Sequence, residues 1–525
     1  MTRPGAALWV CALALLLAPR ERARAERDDL EASMQALEAN DVDGAERALA
    51  GLAAREAEQP DARFQHGLVH FYAGRYEEAV AEMEQAVADA PRAPQLGEWR
   101  RLLAWAKSAR DITRDFDEAR SSDGRYVVRY RKGQDAVLVP YALDALRSAD
   151  KALETQLGIH LPSPIRLEVY PSARTLAEVS SLSLEHIQTT GTVALCKWNR
   201  LMIASPRSLL YGYPWLDTIN HELVHLALSF ASKNHAPVWF HEGLAKLFER
   251  TWRGLAPGAY LAPPTNTLLL NAAHEKRLIA FDRMHPSIAM LPSQEDAALA
   301  FAQVVTFLER FRERFGDGGL TRTIQLLASG QDVRVALAKV AAEPFTELEA
   351  RWRSTLTERQ RPELASTKEL KLRFVESGAA DESLDVAEER ARKHLRVGDL
   401  LWGRRRTLAA TREYEAAQQL APTDPILASR VARASLAGKD PERALGAVDQ
   451  ALREHPQHAP LQTLRATSLI ALGRPSDALS PLIEAIRLNP FDPEPHCQLA
   501  RHGASEAERA REGAACKLLS GPATP

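Results

Sequence analysis

Apolar residues along this 525-residue chain follow different periods in different regions, and each period predicts a different kind of element. Toward the C-terminus small apolar positions return every 34 residues, at Ala410, Ala444 and Ala478, again at Ala417, Ala451 and Ala485, and with prolines at Pro422, Pro456 and Pro490. A period of this length marks stacked helix-turn-helix units. Alanine lets paired helices approach, and proline ends the second helix because it cannot continue the hydrogen-bond ladder. The same template recurs at Ala45, Ala79, Ala86 and Pro91 around Gly74-Arg75-Tyr76, which predicts about two repeats before the middle of the chain and about three after it.

Between the repeats the pattern changes. Residues 125–131 alternate as a strand, 137–157 read as a helix, and 165–170, 192–196 and 201–204 read as further short strands. A strand at Thr192 to Cys196 is the candidate edge of a sheet, able to hold an extended peptide by backbone pairing; an interior strand is the alternative. Next, Ile219, Leu223, Leu226 and Phe230 recur at helical spacing and define a buried stripe. His221, Glu222 and His225 project from the other side, within an arc of about 100°.

That HExxH arrangement lets two imidazoles grip one cation with a carboxylate beside it, and the metal it suggests is zinc. Catalytic zinc takes three protein ligands and leaves a fourth position open. A carboxylate from another element must complete the set, and Glu242, in Trp239-Phe240-His241-Glu242-Gly243-Leu244-Ala245, lies one short crossing downstream. Glu222 is then the non-ligating general base.

The segments Thr218 to His225 and Pro237 to Ala245 resemble the peptidase MA-like family of gluzincin metallopeptidases. The resemblance implies a zinc ion held by His221, His225 and Glu242, with Glu222 as base. It also makes 191–206 similar to the paired strands before the metal helix and Leu299 to Phe315, ending at Gly316, similar to a closing helix. Many relatives orient a ligating histidine with an aspartate four residues after the glutamate ligand, where this chain has Lys246; Asp217 and Glu249 are candidates for that task. An oxyanion-stabilising Tyr or His is expected, with Tyr211, Tyr213, Tyr260 and His285 as candidates. The 34-residue units resemble tetratricopeptide (TPR) repeats.

The expected fold is mostly α, a central α+β zincin-like metallopeptidase domain between N- and C-terminal TPR-type helical repeats. Its parts are a signal peptide (1–25), N-terminal repeats (26–120), the peptidase MA-like domain (121–360), a helical linker (361–394) and a C-terminal array (395–525). The Gly- and Pro-rich segment from Arg253 to Pro264 is expected to be a surface loop beside the cleft.

Composition narrows the function. Lysine plus arginine (67) balances aspartate plus glutamate (69), for a net charge of −2, which gives no sign of a nucleic-acid binder. Arg3, the apolar run from Ala6 to Ala18 and Ala23-Arg24-Ala25 read as a secretory signal, so a secreted or periplasmic protein is expected. Membrane association is expected only through that segment if it stays uncleaved, a reading that the arginines at 20, 22 and 24 keep open. Cys196, Cys497 and Cys516 are too few for a disulfide framework; Cys497 and Cys516 either pair between terminal helices or stand as small buried residues. The expected activity is zinc-dependent endopeptidase action on protein or peptide substrates, with the repeats recruiting a protein substrate or partner. Exopeptidase action is disfavoured, since the Gly-x-Met-Glu-Asn segment of gluzincin aminopeptidases is missing. The alternatives are a cell-envelope TPR scaffold or assembly factor with an inactive or weakly active peptidase-like domain, and a quality-control protease with chaperone character.

Overall fold

The computed structural model describes residues 28–52, 58–284, 288, 291–360, 372–375 and 382–521. The expected signal segment, Cys11 and His285 lie outside the described residues, as does half of the expected linker.

A five-stranded sheet organises the middle of the chain. Its strands are β1 (Phe116–Arg120), β2 (Tyr126–Arg131), β3 (Ile165–Tyr170), β4 (Ala194–Lys197) and β5 (Arg200–Ala204), in the order β1-β2-β3-β5-β4. β2, β3 and β5 run parallel, and each outer strand is antiparallel to its neighbour. β4 is therefore an edge strand, as expected for this region, although it begins at Ala194 and ends at Lys197.

Both faces of the sheet are covered, so the period-2 alternation sorts residues between two cores. In β5, Leu201 and Ile203 join the core with helices Val139–Leu157 and Trp215–Ala231, while Met202 and Ala204 face the N-terminal repeats. Those repeats, with helices at 28–38, Val42–Leu49, Pro60–Tyr72 and Tyr76–Asp89, are followed by Leu96–Thr113. Across this junction lies a polar cluster. Arg200 and Glu168, each with a side chain 1% exposed, pair at 3.6 Å. Tyr76 and Tyr170 donate their hydroxyls to the Glu168 carboxylate, Arg129 approaches it at 3.5 Å, and Arg200 also donates to the Tyr76 oxygen. Burial opposes the charge on Glu168, yet Arg200 and Arg129 hold its pKa below the ordinary value.

The C-terminal array consists of paired helices from Glu389–Gly403 to Glu506–Ser520. The periodic alanines Ala410, Ala444, Ala478, Ala417, Ala451 and Ala485 are all buried, as their spacing predicts. The array folds back onto the central domain through its last hairpins. Leu488 accepts from the Tyr213 N–H (2.8 Å), Ile486 accepts from the Trp215 indole (3.3 Å), and Glu484 accepts from Arg253 (3.1 Å). Gly212, at φ 70, lies so close that a Cβ there would stand 2.1 Å from the Leu488 carbonyl oxygen. Tyr141 of the central domain donates to Glu512, which also meets His496 at 2.6 Å.

Three expectations are corrected. Of the described part of the linker, 382–385 forms a 3-10 turn and 389–394 opens helix Glu389–Gly403, but 372–375 is not helical: Phe374 bridges Leu209, and Val375 N–H donates to the Ser208 carbonyl. The helix read as closing at Gly316 spans Gln294–Ala328, with Gly316 as an internal kink at φ 69. Cys497 and Cys516 are joined by a disulfide that ties Pro493–His502 to Glu506–Ser520, which decides between the two sequence readings.

Candidate metal and catalytic site

Helix Trp215–Ala231 buries Ile219, Leu223 and Leu226 against the sheet and turns His221 and His225 to the opposite side. A tight crossing follows, in which Lys233 (φ 52) and Asn234 (φ 60) adopt left-handed backbone, and helix Val238–Phe248 then returns against the first. Gly243 fixes the depth of that return. A Cβ there would meet Leu308 Cδ1 at 2.7 Å and the Val304 carbonyl oxygen at 3.1 Å, so the missing side chain lets this helix lie close to the backbone of Gln294–Ala328 while the adjacent Glu242 points at the histidines.

The donor atoms converge. His221 Nε2 lies 3.1 Å from His225 Nε2, and Glu242 Oε2 lies 3.4 Å from the first and 3.6 Å from the second. Among the described residues, these three form the one cluster of His, Cys, Asp or Glu with metal-binding spacing. Tetrahedral zinc with bonds of about 2.0–2.2 Å requires ligand atoms about 3.3 Å apart, so the donor set and its spacing fit that ion. The side chains remain 16–21% exposed, which leaves one side of the triangle open.

Around this triangle each imidazole has a different outer neighbour. His221 Nδ1 faces Glu249 Oε2 at 3.8 Å, and Glu249 is held in turn by Lys246 Nζ at 2.8 Å. Glu249, not the residue four after Glu242, is thus the carboxylate behind the first histidine, with Lys246 fixing it. Asp217, the other sequence candidate, is engaged elsewhere, accepting from Arg253 (2.6 and 2.8 Å) and from the Trp252 indole (2.8 Å). His225 Nδ1 instead lies 3.4 Å from His241 Nδ1, with the rings stacked at 5.5 Å. Sequence reasoning missed His241; its place beside Glu242 on a helix facing the motif was the available signal.

The electrostatics follow from burial and close carboxylates. Burial disfavours charge on His221, but Glu242 and Glu249 outweigh it and raise its pKa to about 9. Burial likewise works against charge on Glu242 and Glu249, yet His225 and His221 hold Glu242 well below the usual range, and Lys246 with His221 brings Glu249 to about 2. His241 is pushed down to about 3 by burial and then by His225, so it is neutral and can accept from His225. Glu222 is buried, and burial raises its pKa even though both histidines and the Cys196 backbone N–H favour its charged form.

That N–H comes from the free side of β4. Ala204 N–H donates to the Val193 carbonyl, so in this antiparallel pair Val193 and Leu195 face β5 while Ala194 and Cys196 turn their backbone groups outward. The Cys196 thiol is raised by burial and by the charge of Glu222, which places it beside the base.

No hydrogen bond or ring contact ties the described tyrosine candidates to the triangle, although the buried Tyr211 hydroxyl has no hydrogen-bond partner among the described residues and Tyr213 lies near enough to feel the charge of Glu222. Tyr213 donates to the Ala204 carbonyl, and Tyr260 is exposed and donates to the Ala256 carbonyl. The Tyr211 ring lies 4.7 Å from His458 of the C-terminal array.

A histidine pair on one helix, a glutamate from the next helix and a mixed sheet with an open edge define a zincin-type peptidase fold. Residues 145–358 match the Peptidase MA superfamily, and residues 30–95 and 430–493 match the tetratricopeptide repeat. The chain thus contains a Peptidase MA superfamily domain at 145–358 with tetratricopeptide repeats on either side of it. Among solved structures, it is similar to one titled the crystal structure of the APC/C hetero-tetramer Cut9-Hcn1, at 12% identity over 95% of this chain and 80% of that one, with a TM-score of 0.26. It is also similar to yeast LTA4 hydrolase in complex with bestatin, at 10% identity over 78% of this chain and 67% of that one, with a TM-score of 0.30. No curated protein matches the chain.

Proposed function

We propose that the protein is a zinc-dependent endopeptidase, secreted or periplasmic, whose repeats bring protein substrates or partners to the catalytic domain. The observation that carries this reading is the convergence of His221, His225 and Glu242 donor atoms beside the buried carboxyl of Glu222. When bound, zinc supplies Lewis-acid polarisation of a carbonyl and a more acidic water. The chain's own residues do the rest. Glu249 and His241 fix the imidazoles so that both Nε2 atoms face the same point. Glu222, with its proton affinity raised by burial, takes the proton of the attacking water and passes it to the leaving amine. The outward backbone groups of Ala194 and the outward Cys196 carbonyl pair with an extended substrate strand and align its carbonyl, while the Cys196 N–H holds Glu222, a mode that suits internal bonds of unfolded segments.

Export is supported by the N-terminal signal pattern and by the Cys497–Cys516 disulfide, since such bonds persist in oxidising compartments. The scaffold alternative draws on one observation, that among the described residues no hydrogen bond or ring contact ties Tyr211, Tyr213 or Tyr260 to the triangle. Metal analysis together with casein or peptide-library cleavage separates the two. The wild type and Glu222→Gln are both expected to hold zinc, with cleavage falling about 10²- to 10⁴-fold in the variant. If both hold zinc and keep their partners but neither cleaves, the scaffold reading stands.

A further inference from the structure

The first hairpin of the C-terminal array differs from those that follow it. Between helices Glu389–Gly403 and Thr407–Leu420 the chain puts large apolar side chains into solvent: Leu400 is 64% exposed, Trp402 37% and Leu408 82%. The repeat itself does not ask for this. The counterparts of Leu408, 34 and 68 residues on, are Glu442 and Ser476, and those of Leu400 are Ala434 and Ser468, both buried. Charge is equally one-sided. From Leu400 to Arg412 there are four arginines and no acidic residue. Arg404, Arg405, Arg406 and Arg412 form no ion pair among the described residues, and three of them are consecutive.

We propose that this hairpin tip docks the protein on an anionic membrane surface. Three adjacent arginines complement lipid phosphates, and the most exposed apolar residues, Leu400 and Leu408, flank them on either side of the turn, where they can enter the headgroup boundary, with Trp402 at its edge. Tryptophan is favoured at that depth. An acidic peptide would satisfy the arginines but leave the outward leucines in water, so the lipid surface accounts for both halves of the patch. Contact of this kind is peripheral, in keeping with the finding that no described helix is long and apolar enough to cross a membrane. It is also separate from any attachment through residues 6–18 and independent of the metal site.

Hydrogen exchange of the full chain, read on peptides covering residues 400–412, isolates the tip from the N-terminal segment. Vesicles of phosphatidylcholine mixed with phosphatidylglycerol should slow exchange there by about tenfold, with the protection weakening as salt rises. Phosphatidylcholine alone should not. Leu408→Glu and the combined Arg404→Ser, Arg405→Ser, Arg406→Ser variant should each lose the protection; all four positions are exposed, so the fold is retained. Equal slowing by neutral vesicles, slowing that survives in both variants, or no response to vesicles would overturn the proposal. Protection by polyglutamate without any response to lipid would overturn it too, and would assign the tip to an acidic protein partner.

Discussion

The two repeat arrays meet the peptidase domain in opposite ways. The N-terminal helices lie across a sheet face and share with it the buried cluster of Arg200, Glu168, Tyr76 and Tyr170. The C-terminal array docks through its last hairpins, by backbone acceptors and the link from Tyr141 to Glu512, and leaves Leu400 to Arg412 largely in solvent. One type of unit therefore serves as part of a domain core in one place and as an exposed surface in another. Burial and ion pairing separate these roles where repeat period alone does not.

The largest expected effect lies at the N-terminal junction. Glu168→Ala leaves Arg200 buried without its carboxylate and should lower stability by about 3–5 kcal/mol in denaturant unfolding. A loss under about 1 kcal/mol would show that the N-terminal helices are not part of the core. The pH dependence has a defined sign. Because the Glu168 pKa is lowered in the fold, its contribution is complete above the ordinary glutamate value and is lost as pH falls through the folded value. At the other junction, Gly212→Ala combines a left-handed φ with a clash against the Leu488 carbonyl, for an expected cost of about 1–3 kcal/mol. Thermal unfolding, with proteolysis between residues 372 and 388 as a reporter of undocking, measures it. An unchanged transition would mean that the array is not held there.

Smaller effects sharpen the picture. Glu249→Gln should weaken zinc binding about 10- to 100-fold in a chelator competition, because His221 loses the carboxylate that orients it. An affinity within twofold of wild type would remove Glu249 from the site. Leu408→Glu should change stability by no more than about 0.5 kcal/mol, since its side chain supports nothing in the fold. A larger loss would make the tip structural and erase the contrast between the arrays.

Much of this was legible in the chain. The 34-residue alanines are buried where the period puts them, β2 and β3 follow from clear alternation, and the HExxH face follows from helical geometry. Other features depend on contacts that no local pattern encodes. β1, Phe-Asp-Glu-Ala-Arg, has too few apolar residues to alternate visibly and is a strand only because β2 pairs with it. Gly316 reads as a helix stop, yet helix continues on both sides of its kink. Asp217 and Glu249 were equivalent candidates in sequence; Arg253 and Trp252 draw the first away, while two helical turns after Glu242 bring the second behind His221. His241 depends on the way two helices face each other, and the pairing of Cys497 with Cys516 on the stacking of the last two helices.

The most direct measurement is zinc-edge X-ray absorption of the purified protein, with metal content determined alongside for the wild type and His225→Ala. A zinc ion per chain, with only nitrogen and oxygen neighbours at about 2.0–2.2 Å and lost in the variant, is the predicted result. A metal-free wild type, or a sulfur neighbour at about 2.3 Å drawn from Cys196, would contradict the assignment of His221, His225 and Glu242.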